Sequence, residues 1–337
     1  MRRYTVIGAC FIFFFMACVG QTYAQQVLSI GTNPTGLSYH IIGVGISTIV
    51  EKYTNLKMKV VPMDAAHAWM PLMPTRQIDL GVASNWNAQK GYLGESIYKD
   101  LSKGKGFPVA LMFISVPNMI GLIVAGSSNI NSVPDLKGKR VSGPIPNAAM
   151  QLQTECLLAN GGLKWSDIKP ALAKSPSEAV KLIIEGRSDA ASVALGTPVN
   201  EELNAKKGAR FLPVDPSPEA VRRTKSVFPG YPVKVSPGPG KTGIEKERYL
   251  WAYDNYIIVR KDLDENVVYQ IMKAIFEHYS ELCAFHVGLK DLKPSMFVSR
   301  EALIPFHPGA VKLYKEKGLW TKEMDVLQKE LLGMKKD

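Results

Sequence analysis

The chain has 337 residues, 46% of them hydrophobic and 21% charged, with 28 glycines and 22 prolines; these proportions exclude a disordered, collagen-like or polytopic membrane protein. At this length a single core has stopped growing, so two lobes of ordinary domain size are expected. The formal net charge of +11 comes from Lys and Arg spread along the chain, without the clustered basic residues and interleaved aromatics of a nucleic-acid binder, so it reads as a solvated basic surface that favours anionic solutes.

In chain order, Arg2 and Arg3 precede an apolar run over 6–19, and Thr22-Tyr23-Ala24 puts small residues at the −3 and −1 positions of a cleavage site, the pattern of a secretory signal peptide. The run is about 14 residues, short of the roughly 20 that span a bilayer. The expectation is a signal peptide over 1–24 and a mature periplasmic chain from Gln25, whose formal charge falls to +9 once Arg2 and Arg3 are removed. A lipoprotein box at Phe15-Met16-Ala17-Cys18 competes, but its first two positions are poor. Cys10 and Cys18 leave with the signal, and Cys156 and Cys283 lie in apolar helical contexts. They read as buried unpaired thiols rather than a disulfide.

From Gln26 onward short β-branched runs alternate with helical stretches, which predicts parallel sheets covered by helices. Strands are expected over 27–31, 57–61, 78–83, 108–114 and 120–124. A helix is expected over 37–53, and Pro71 and Pro74 should shorten the helix before the third strand. A new unit opens at Ser132, with a helix over 147–160, a strand near Lys169, a helix over 176–185 and a strand over 189–194. The second half echoes the first, because Asp79 and Asp189 each open a small-residue strand after a helix. Four prolines between Phe228 and Gly240 predict a connector. A strand over 253–259, a long helix over 264–285 and two helices from His307 complete the chain. The fold class is α/β with two lobes and a ligand cleft between them: lobe I over 25–120 and 252–337, lobe II over 121–251.

Chemistry concentrates at strand ends that lead into helices. Ile30-Gly31-Thr32-Asn33-Pro34-Thr35-Gly36-Leu37-Ser38-Tyr39 is a strand, a polar turn and a helix start, where free amides and hydroxyls suit an anion, although an ordinary N-cap by Thr35 or Ser38 explains it equally well. The matching turn in the second half runs into Asn147-Ala148-Ala149-Met150, with Asn147 as cap. Ser84-Asn85-Trp86-Asn87 ends the third strand, where buried polar groups need partners, and Trp86 is either pocket wall or core. Thr197 occupies the equivalent strand end in the second half. No Gly-x-Ser-x-Gly elbow is present, and the five histidines lack metal-ligand spacing. Gly238-Pro239-Gly240-Lys241-Thr242 imitates a phosphate loop without its first glycine, and Asp64 with His67 reads as a capped helix start rather than a catalytic pair. The expectation is therefore no enzyme, cofactor or metal.

Several of these stretches carry a resemblance. Ile30-Gly31-Thr32 with Thr35-Gly36-Leu37-Ser38-Tyr39, Ile78-Asp79-Leu80-Gly81-Val82, Asp135-Leu136-Lys137-Gly138-Lys139-Arg140-Val141, Val259-Arg260-Lys261-Asp262-Leu263 and His307-Pro308-Gly309-Ala310 through Trp320 are similar to the TAXI-type solute-binding proteins of TRAP (tripartite ATP-independent periplasmic) transporters. That resemblance implies a type II periplasmic-binding fold that closes by a hinge around a small organic acid and hands it to the membrane subunits of the transporter. It implies ligand contacts from Thr32, Asn33, Thr35, Gly36, Ser38, Tyr39, Ser84, Asn85, Trp86, Asn147, Ala148, Ala149 and Thr197, and the chain is expected to be a monomer. The family usually has glycines where this chain has Asn33 and Pro34, and a polar step where it has Asp64-Ala65-Ala66-His67-Ala68-Trp69. Fewer free amides and more apolar bulk point to a monocarboxylate or partly hydrophobic acid rather than an amino-dicarboxylate. A receptor for an ATP-driven importer or a sensor kinase is the alternative in the same fold, and a secreted two-lobed enzyme the more distant one.

Overall fold

The computed structural model describes residues 27–144, 147–285 and 289–335; the expected signal peptide, its cleavage site and the lipoprotein box lie outside them. Strand β1 (Val27–Thr32) leads to α1 (Ser38–Tyr53), β2 (Lys57–Pro62), the short α2 (Ala66–Trp69), β3 (Leu80–Ser84), α3 (Asn85–Leu93), α4 (Tyr98–Leu101) and β4 (Val109–Ile114). Then come β5 (Asn118–Ala125), β6 (Arg140–Ser142), α5 (Ala148–Asn160), β7 (Lys169–Ala171), α6 (Pro176–Ile184), β8 (Ala191–Ala194), α7 (Pro198–Lys207), β9 (Ala209–Phe211), α8 (Pro218–Val227), β10 (Tyr231–Val235) and β11 (Arg248–Tyr253). The chain closes with β12 (Asn255–Arg260), α9 (Glu265–Glu277), α10 (Tyr279–Leu282), α11 (Pro308–Glu316) and α12 (Lys322–Gly333).

Two five-stranded sheets organise two lobes. The first has the order β2-β1-β3-β12-β4; the second runs β10-β11-β5-β8, with β9 also paired to β5. The expectation of parallel sheets holds for β1 with β2 and β3, but β12 is antiparallel to both its neighbours, and every pairing of β5 is antiparallel. The reason is topological: the chain leaves the first lobe after β4 and re-enters it at β12, so the returning strand runs opposite to those around it. β4 and β12 are buried at every position, β4 as an unbroken apolar run and β12 as a four-residue apolar run between the buried Asn255 and Arg260.

Three further expectations change. The proline-rich segment after Phe228 contains β10, an edge strand in which Pro232 sits opposite Trp251; proline is tolerated there because one side of the strand has no partner. The single strand expected over 253–259 is two strands that belong to different sheets and part at Asp254. The long helix expected over 264–285 breaks at His278, which leaves helical geometry at φ −120°; its ring stacks on Tyr53 with centroids 3.4 Å apart.

Tryptophan 69 fixes the loop above the first sheet. Gly31 and Gly81 are register partners on β1 and β3, and a Cβ on either would meet the Trp69 ring at 2.6 Å or 2.2 Å. Only glycines let this fully buried indole lie on the sheet, and it anchors the short helix that follows Asp64. The shortening expected from Pro71 and Pro74 is present: α2 has four residues and passes into a 3-10 turn at Met70–Leu72.

Candidate functional site

The chain crosses between the lobes twice, at Ser115, Val116 and Pro117 and at Asp254. The crossings are stitched together. The Ser115 N–H donates to the Asn255 carbonyl at 2.8 Å, and the Asn255 side-chain Nδ2 donates to the Val116 carbonyl at 3.0 Å. Asn118 and Tyr253 face each other across β5 and β11.

Against this hinge lies a cavity of about 510 Å³ walled by both lobes, within the usual range for a small-molecule site. Helix starts dominate its walls. Ser38 and Tyr39 begin α1, Ser84 and Asn87 frame the start of α3, Asn147 and Met150 that of α5, Ser175 and Ser177 that of α6, and Thr197 that of α7. Each such end carries unsatisfied N–H groups and roughly half a positive charge. Three are capped by side chains: Ser84 Oγ accepts from Asn87 N, Asn147 Oδ1 from Met150 N and Ser175 Oγ from Glu178 N, each at 3.2 Å. The starts of α1 and α7, one in each lobe, have no side-chain cap, and the Thr197 hydroxyl instead donates back to the Ala194 carbonyl at 2.9 Å.

Besides two tyrosines, the titratable side chains on the wall are Asp64, His67 and Lys174; among the described residues no arginine lines it. The tyrosines stand beside the hinge. The Tyr39 hydroxyl donates to Asn255 Oδ1 at 2.7 Å, and the Tyr253 oxygen accepts from Asn118 Nδ2 at 2.6 Å and Gln153 Nε2 at 3.0 Å. Burial pushes both phenols up, Tyr39 further through its neighbour Tyr253, so both are neutral donors at physiological pH. Asn33 and Ala149 complete the list of expected residues that reach the wall: Asn33, Ser38, Tyr39, Ser84, Asn147, Ala149 and Thr197.

The other expected residues lie off the wall. Thr32 is fully buried, and its hydroxyl donates to the Asn33 carbonyl at 3.0 Å. Thr35 and Gly36 form an exposed turn, in which Gly36 has φ +86°. Asn85, Trp86 and Ala148 miss the cleft for a helical reason: residues three apart share a face. Ser84 and Asn87, like Asn147 and Met150, therefore face the cavity, and the residues directly after each cap turn away. Trp86 packs in the core at 6.2 Å from the ring of Phe228. Asn118, Gln153, Ser175, Ser192 and Tyr253 were missed by the sequence reading, and only the position of Asn118 and Tyr253 beside the crossings carried a signal. Among the described residues no three His, Cys, Asp or Glu side chains gather as a metal set.

Two α/β lobes joined by a stitched two-strand hinge, with a cleft between them, make up the two-lobed fold of periplasmic solute-binding proteins. The chain belongs to the NMT1-like family, which it matches over residues 30–318. Its fold is similar to that of PhnD1 from Prochlorococcus marinus in complex with methylphosphonate, at TM-score 0.54 and 12% identity, covering 87% of this chain and 98% of that one. It also aligns with the periplasmic aliphatic sulphonate binding protein SsuA from Escherichia coli, at TM-score 0.47 and 16% identity over 90% and 91% of the two chains. A third alignment is to an ancestral arginine-binding protein bound to arginine, at TM-score 0.45 and 17% identity over 78% and 97%. No helix among the described residues is long and apolar enough to cross a membrane.

Proposed function

We propose that this protein is an extracytoplasmic receptor that closes around a small organic anion and delivers it to a membrane transporter. The observation that carries the reading is the convergence of five helix N-termini, two from one lobe and three from the other, on one cavity whose described lining has no arginine. Amide dipoles from both sides attract a single negative charge. A dianion would call for a guanidinium that the wall lacks, and Ala65, Ala66, Ile120, Met150 and Val193 offer apolar surface to the rest of the ligand. A monocarboxylate or another singly charged acid with an apolar body fits best. The lobes that close on it are 25–120 with 252–337, and 121–251, with Ser84 and Asn147 as opposing contacts and the uncapped starts of α1 and α7 as opposing amide donors.

The motif resemblance supports the membrane subunits of a TRAP transporter as partner. Membership of the NMT1-like family favours a second reading, in which the partner is an ATP-driven importer; copurification of the receptor with either membrane assembly separates them. The ligand test is thermal unfolding of the chain from Gln25 against monocarboxylates, sulfonates, phosphonates and amino acids, after refolding to remove carried ligand. An acid at about 100 times its dissociation constant adds roughly 2.7 kcal/mol. Tight binding of glutamate would overturn the monoanion assignment, and no response to any acid would overturn the receptor reading for this anion class.

A further inference from the structure

A second cavity, about 760 Å³, is lined by the hinge residues Ser115, Pro117 and Asp254, whereas Asn118 and Tyr253 line the cleft. Successive side chains of an extended strand point to opposite faces, so the two cavities lie on opposite sides of the hinge. The second also has walls from both lobes, with Asn85 and Glu301 from the first and Lys225 and Tyr231 from the second.

Its polar groups are incompletely satisfied. Asn85 is 5% exposed; its Oδ1 accepts from Trp86 N at 2.8 Å, the one hydrogen bond of its side chain among the described residues. Ser115 is 1% exposed, and its hydroxyl has no partner among the described residues. Among the described residues the Asp254 carboxylate accepts only the Tyr231 hydroxyl, at 2.8 Å. Burial, and after it the negative charge of Glu301, pushes this acid up despite the tyrosine bond, the condition of a carboxylate short of a cation. The cation on the wall, Lys225, is exposed and makes no ion pair among the described residues.

We propose that this hinge-side cavity is a second binding site, for a small protonated amine that also carries an acceptor oxygen, an amino alcohol in class. The ammonium group lies against Asp254 and Glu301, and the oxygen accepts from Asn85 Nδ2. The site is separate from the cleft, and its ligand differs in charge from the one proposed there. Because Asn85 and Tyr231 belong to different lobes, an occupant that touches both favours one lobe separation over others and shifts the opening equilibrium.

The test uses the whole chain from Gln25, with ethanolamine as probe and acetate as the anionic control, read by thermal unfolding and by small-angle scattering. Ethanolamine is expected to raise the melting temperature saturably by about 2 °C or more and to change the radius of gyration, while acetate does not reproduce the effect. The response is expected to disappear in Asp254→Asn and to weaken in the surface variant Glu301→Gln, and to persist in the cleft variant Asn147→Ala. No saturable response, or an equal response in both acid variants and the parent, overturns the site. Binding with an unchanged radius of gyration overturns its coupling to the hinge.

Discussion

At the start of β3 the Asp79 carboxylate accepts the Ser29 N–H at 2.9 Å, and the Asp79 N–H donates to the Ser29 carbonyl at 2.9 Å. In the other lobe, before β8, Asp189 accepts the Arg140 N–H at 2.8 Å and donates its own N–H to the Arg140 carbonyl at 2.8 Å. The same reciprocal clamp thus pins the register of neighbouring strands in both lobes. The cations differ. Asp79 meets Arg260 of β12 at 2.8 Å, both side chains 6% exposed, whereas Asp189 meets Arg140 at 2.6 Å, the two 27% and 45% exposed. One motif therefore sets geometry in both places, and burial decides how much energy rides on it.

Breaking the buried member separates the lobes most sharply. Asp79→Asn leaves Arg260 buried with only the exposed Asp262 as ionic partner, and about 3 kcal/mol of stability should be lost, read as a fall in the urea midpoint. Asp189→Asn should cost several-fold less because solvent screens its partner; equal losses would break the comparison.

Acid should divide the lobes next. His307 caps α11: its Nδ1 accepts from Gly309 N at 3.2 Å, which leaves the proton on Nε2 to reach the Leu263 carbonyl at 3.1 Å. Burial pulls this imidazole below its ordinary value. The unfolded chain thus binds the proton more readily, so the stabilisation is whole above pH about 6.5 and is lost as pH falls from there through the folded value. Asp189 is held low first by its hydrogen bond with Arg140. Its share is whole above pH about 4 and is lost only below that, as pH falls through its own folded value. Urea midpoints should therefore drop between pH 7 and 5 in a manner that His307→Gln flattens and Asp189→Asn leaves unchanged.

The helix caps facing the cleft should give the smallest and most even effect. Ser84→Ala in one lobe and Asn147→Ala in the other each remove one backbone cap bond, and Ser84→Ala also removes the bond from Asn87 Nδ2; each should cost about 1 kcal/mol, with unfolding curves as the measure.

What could be read in advance follows the range of the interaction. The Asp79 and Asp189 echo was visible because a strand start with its acid is a local pattern, and the helix starts at Ser84 and Asn147 were visible as caps. Asn85 and Trp86 lie off the wall because neighbours along a helix point to different faces. Tyr253, Gln153 and Asn118 escape because Tyr253 lies 135 positions from Asn118 and 100 from Gln153. The antiparallel return of β12 escaped likewise, since its apolar run has the same composition whichever way it points.

The placement of β12 has a consequence for how the chain comes to be folded. It sits between β3 and β4 in the first sheet, yet it is made after the whole second lobe. Until residue 260 is available, β3 and β4 have no strand to join them, and Asp79 has no Arg260. The second sheet, by contrast, is complete once β11 emerges. Synthesis in order from the N-terminus therefore finishes the inserted lobe before the lobe that contains both ends of the described chain. Nonlocal pairing of this kind slows folding, so the first lobe is the slow half of the molecule.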